Sequence, residues 1–276
     1  MRAKFRITMI AAFAGLALFS QTAAMAGVFY NNPGGASLDH PKAAMAGAWL
    51  VQVKPGDKAS FYDNGGKAGC PSLTAACQRR GYLLPGDVAV AAYTTGPFTV
   101  VEFVGPKGAV TGGAIETRLL ERIETPKPSP QDWIGHWQST DEQDIVIAPT
   151  RDPSVLSFRG DATWGAHDAW RVEHGGVNLG DFFAYVKPAG AWGGFVAGLD
   201  AESDAKHPAP AIREQPGLNT DWTRYFPAES DVGEPECRAS FRLIGPYLLA
   251  YTPLNLCGGM NVTFTGVYRK VAPKRG

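Results

Sequence analysis

The side chains equipped for chemistry are few and scattered. Five histidines are present, His40, His136, His167, His174 and His207, and only His167 and His174 fall close together, seven residues apart around Trp170 with Asp168 and Glu173 beside them. A zinc-type centre needs three or four ligands at defined spacing, and neither HExxH nor CxxC occurs. Polar strand edges account for the pair, so neither a metal nor a cofactor is expected. No GxSxG elbow activates a serine, and no cysteine has surroundings that would lower its pKa. Carboxylates are plentiful (Asp141, Glu142, Asp144, Asp200, Glu202, Asp204), but glycoside hydrolysis requires two of them at a fixed separation, which spacing alone does not supply. The DEQD and DAESD runs read as solvated loops, with a weak calcium site as the minor alternative. No catalytic residue is assigned.

The ends of the chain narrow the class. Arg2, Lys4 and Arg6 precede an apolar run from Ile7 to Phe19 and a small-x-small site at Ala24-Met25-Ala26. This is the pattern of a cleaved signal peptide over residues 1–26, too short in its apolar part to span a bilayer. A mature chain from about Gly27, periplasmic or secreted, is expected. Cleavage takes three of the 26 basic residues, leaving 23 against 26 acidic ones. Such a balance lacks the basic footprint of a nucleic-acid binder, and no second segment is apolar enough for a membrane span. In an oxidising compartment Cys70, Cys77, Cys237 and Cys257 are expected to form disulfides. Of three possible pairings, Cys70–Cys77 and Cys237–Cys257 keep each bridge inside one unit.

The elements that must position any site read as strands. Residues 27–47 form an irregular Gly/Pro/Asn-rich N-terminal segment. Over 48–124, the runs AWLVQV, ASFY, VAVAAY, FTVVEF and AIETRLL are separated by PGD, DNGG, TTG and GPKG turns. Ser72–Arg79 is the one stretch there with helical character. The TPKPSP run, 125–130, is a stiff linker. Residues 131–271 continue in β style, with HDAWRVE and DFFAYV among the strand-like runs, and 272–276 form a tail. Near the end Val262, Phe264, Gly266 and Tyr268 alternate against Thr263, Thr265, Val267 and Arg269. In DWIGHW, an extended chain puts Trp133, Gly135 and Trp137 on one face. The fold class is all-β, in two small barrels.

Two resemblances refine this reading. Residues 48 to about 123 resemble bacterial SH3-like domains through YLLPGDVAVA, FTVVEF and GAVTGGAIETRL, although the family's Gly-Trp stands here as Gly113-Ala114 and the ligand groove lacks that ring. Residues 131–271 resemble calycin-type barrels, the class of lipocalins and avidin-like proteins, through Gly135-x-Trp137 and the terminal FTGVYRK strand. That resemblance implies a bend at Gly135, a barrel end plugged by Trp137, and Arg269 lying over the indole; a core tryptophan of a β-sandwich is the alternative. The combined layout is similar to a group of exported proteobacterial proteins ending in Cys…Gly-Pro-x-Leu…Cys-Gly-Gly…Phe-x-Gly-x-Tyr-Arg, which implies arrangement but no activity.

Six of the seven tryptophans follow the linker, more than a barrel end needs. Trp192, set in the glycine-rich GAWGG, is the first candidate for an exposed contact; Trp222, Tyr225 and Phe226 come next, and Trp164 and Trp170 either cover the barrel or join the contact. The expected function is that of an exported, non-enzymatic binding protein of the bacterial cell envelope. Its partner would be an envelope protein, in the manner of an inhibitor or immunity factor, or a peptidoglycan fragment. A carrier of a small apolar or glycan ligand in the second barrel and a cell-wall hydrolase are the alternatives.

Overall fold

The computed structural model describes residues 45–64, 67–106, 108–140, 142–197, 237–252 and 257–271. The chain is all-β, with two antiparallel sheets, one on each side of the proline-rich run. The first sheet holds β1 (Trp49–Val53), β2 (Ala59–Tyr62), β3 (Gln78–Leu83), β4 (Val88–Thr95), β5 (Phe98–Val104), β6 (Val110–Glu116) and β7 (Leu120–Ile123), in the order β3-β2-β6-β5-β4-β1-β7. Its strands are rich in valine and aromatic residues that suit a pleated, half-buried surface. Phe61, Leu83, Ala89, Val101 and Ile115 meet in its core. Ser72–Arg79 is not helical: turns lead into β3 at Gln78, and the loop is closed by the Cys70–Cys77 bridge.

The second sheet holds β8 (Gly135–Thr140), β9 (Gln143–Pro149), β10 (Leu156–Trp164), β11 (Asn178–Val186), β12 (Trp192–Ala197), β13 (Cys237–Ile244), β14 (Tyr247–Tyr251) and β15 (Gly266–Val271). Its order, β11-β10-β9-β8-β15-β14-β13-β12, brings the first and last strands of this half together through β8 and β15. The two outer strands then come round to face each other: Phe182 of β11 lies 5.1 Å from Phe195 of β12, and a Cβ on Gly193 would sit 3.1 Å from Val186. The result is a nearly closed barrel, with Cys237 bridged to Cys257.

Among the described residues, two short α-helices follow β7, one before β8 and one between β10 and β11. Helix α1 (Pro130–Trp133) starts at Ser129, whose N–H and hydroxyl both donate to Asp132 Oδ2 at 2.8 Å, and its proline occupies the position where a missing N–H costs nothing. Trp133 therefore ends a helical turn instead of sharing a strand with Trp137. Helix α2 (Ala169–His174) corrects the strand reading of HDAWRVE. Asp168 accepts from the Trp170 and Arg171 amides, and Gly175 leaves the helix in the left-handed conformation.

Alternation along β10 and β11 places Leu156, Phe158, Ala162, Phe182, Ala184 and Val186 inside, with Arg159, Asp161, Asp181 and Phe183 outside. The barrel interior is filled by rings: Phe158 and Phe241 stand 5.0 Å apart, Phe182 and Phe264 4.7 Å. Backbones also meet closely where β11 passes the Cys257 turn. A Cβ on Gly180 would lie 2.6 Å from the Cys257 carbonyl oxygen and 2.9 Å from Gly258 Cα, and backbone cannot yield as a side-chain tip can. Gly180→Ala is therefore expected to destabilise the protein by about 1–3 kcal/mol, seen as a lower urea midpoint with unchanged slope.

Candidate functional site

The barrel end is built from both termini of the second half. Trp133 and Trp137 are 0% and 1% exposed, and the Trp137 indole N–H donates to the Trp133 carbonyl at 2.8 Å. Gly135 between them has φ 151°, and a Cβ there would lie 3.0 Å from the Lys270 side chain, so only glycine leaves both the bend and the cover intact. The cation over the Trp137 ring is Lys270, with Nζ 4.8 Å from the centroid and a hydrogen bond to the Asp132 carbonyl at 2.9 Å. This corrects the placement of Arg269. Lys270 pairs directly with Trp137 across the ladder and shares its face, whereas Arg269 pairs with Gln138 and points away. Arg269 instead donates to the Val104 carbonyl of the first sheet at 3.1 Å.

The remaining tryptophans divide sharply. Trp192 is not an exposed contact: it is half-buried, packs on the cluster shared by the two sheets, and has the Arg242 guanidinium 5.4 Å from its ring. The glycines around it admit neighbours. Trp164 is partly buried against the barrel core, with Arg171 stacked 4.1 Å above it. Trp170 is 64% exposed, its ring 4.6 Å from that of His174, whose Nδ1 sits 2.7 Å from the Trp170 carbonyl oxygen. Trp222, Tyr225 and Phe226 lie outside the described residues.

Trp170 is one of several large apolar side chains left exposed on helix α2, β11 and the Met260 turn, which the sequence reading missed. Val172 of α2, Leu179 and Phe183 of β11, and Met260 are all more than half exposed. Leu179 and Phe183 share the outer face of β11 with Asp181 and Tyr185, and Phe183 and Tyr185 make an edge contact at 5.1 Å. Met260 is tied to the start of that strand, its carbonyl accepting from Asn178 Nδ2 at 2.6 Å, while the Gly259 N–H donates to Leu179. The adjacent Phe182 and Phe183 carried the signal, because in a strand one of two neighbouring rings must face outward.

The polar groups serve the scaffold. Glu142 accepts from the Ala166 amide at 2.7 Å, Asp144 faces His136 at 3.4 Å, and Asp161 pairs with Arg159. Asp141, Asp200, Glu202, Asp204, His40 and His207 lie outside the described residues. Among the described residues no three His, Cys, Asp or Glu side chains converge as metal ligands, and no helix is long and apolar enough to cross a membrane. Comparison with protein-family models, curated proteins and solved structures finds no match to this chain.

The Lys270 contact can be weighed directly. Lys270→Met keeps the apolar stem and removes the cation, and should cost about 0.5–1 kcal/mol in urea denaturation. A variant as stable as the parent would show that the stem alone covers the indole.

Proposed function

We propose that the chain is an exported binding protein of the bacterial cell envelope, built from SH3-like and calycin-like units, and that it engages a protein partner through the outer surface of β10, α2 and β11. The observation that carries this reading is Trp170: a tryptophan 64% exposed and stacked on His174, on the same helix–strand segment as the exposed Val172 and Leu179, to whose strand the Met260 turn is tied. Isolated exposed apolar residues are ordinary, but several large ones on one supersecondary unit characterise contact surfaces. The ring-filled barrel interior favours recognition on the outside over a carried ligand. The signal-type sequence of residues 1–26 and the two disulfides support export. An inhibitor or immunity factor capping a wall- or lipid-degrading enzyme fits this description.

Pull-down from periplasmic extract followed by mass spectrometry would identify the partner, and titration of the purified pair would then locate the contact. Trp170→Ala and Leu179→Ala should each weaken binding about tenfold or more without lowering the melting temperature, whereas Trp192→Ala should lower the melting temperature. Equal affinity in all three variants would defeat the proposed surface. Turnover of peptidoglycan abolished by one Asp or Glu substitution would replace binding by hydrolysis.

A further inference from the structure

Glu102 is buried where the two sheets meet. It lies on β5, across from Val90 of β4 and Gly112 of β6, and is 3% exposed. The surrounding cluster joins Leu50, Val90 and Val104 of the first sheet to Tyr247, Leu249 and Val267 of the second. The β8–β15 ladder ends at Gln138 and Arg269, and beyond it the Val267 N–H donates to the Glu102 carboxyl. Its other oxygen, Oε1, has no hydrogen-bond partner among the described residues.

The groups facing it do not neutralise a negative charge. From β15, Arg269 is the charged residue turned to the first sheet, and it donates to the Val104 carbonyl. From β14, Tyr247 gives its hydroxyl to the Val88 carbonyl, and burial pushes that phenol up to about 12, so it stays neutral. Val90 and Gly112, the partners on β4 and β6, do not titrate. Among the described residues no cation forms an ion pair with Glu102.

We propose that Glu102 makes the contact between the two sheets pH-sensitive: the neutral carboxyl holds them together, and its ionisation in alkaline solution loosens them. An ionised carboxylate between apolar faces, with one N–H donor, is costly, whereas the protonated form is tolerated. Burial accordingly pushes the carboxyl up to about 8, only partly opposed by the Val267 hydrogen bond. Because the folded value lies above the ordinary 4.5, the contribution of the neutral form is complete below 4.5 and is lost as pH rises to about 8.

The test is infrared titration of the full chain, together with small-angle scattering over the same pH range. The parent should lose a protonated-carboxyl band with a midpoint near 8, and its radius of gyration should rise over the same interval. Glu102→Gln, neutral at every pH, should lack that band and keep the low-pH radius throughout; Glu102→Met provides a second neutral side chain of similar length. A band midpoint in the ordinary carboxylate range would overturn the proposal. So would a radius that stays constant as the band disappears, or one that grows equally in the neutral variants.

Discussion

The end of the second barrel depends on one indole. The Trp137 N–H reaches the carbonyl of Trp133, one turn back, and so fixes helix α1 to the strand that follows it. Lys270, from the final strand, lies over the ring and holds the same helix through Asp132. The first and last elements of this half are therefore joined around the buried indole as well as along the β8–β15 ladder. Placing two tryptophans at the end of the barrel also settles what the rest of the interior can be. Phe158, Phe182, Phe195, Phe241 and Phe264 occupy it.

The two sheets are not independent bodies strung on a proline linker. Their outer faces share an apolar cluster, and the polar groups at its margins terminate on backbone carbonyls of the first half. Arg242 donates to the carbonyls of Met45, Ala46 and Ala48, Arg269 to Val104, and Tyr247 to Val88. Guanidinium donors suit this task, since several N–H groups diverge from one rigid plane and satisfy carbonyls that burial would otherwise leave unpaired. Within this seam Glu102 is the exception, a carboxyl with one donor and, among the described residues, no cation paired with it.

Much of the architecture is legible in the sequence. Short runs of valine and aromatics between Gly, Pro, Asn and Asp turns point to an all-β chain, and the alternation over 262–269 assigns Val262, Phe264 and Tyr268 to the interior. The same alternation assigns residue 270, not 269, to the inner face, so the register of the covering cation was legible too, although the family resemblance pointed to Arg269. Helix α2 was marked by Asp168 as its cap and Gly175 as its stop, but six residues give too little periodicity to outweigh neighbouring strands. The fate of Trp192 was not legible. A tryptophan among glycines reads as exposed until a distant arginine and a second sheet are brought against it. The seam itself pairs residues more than a hundred positions apart, which no local pattern encodes.

Hydrogen exchange of the tryptophan indole N–H groups, resolved by NMR, tests the packing of the barrel end most directly. The account predicts that the Trp137 indole exchanges only with global unfolding, whereas that of Trp170 exchanges freely. A Trp137 indole exchanging as fast as that of Trp170 under native conditions would contradict it.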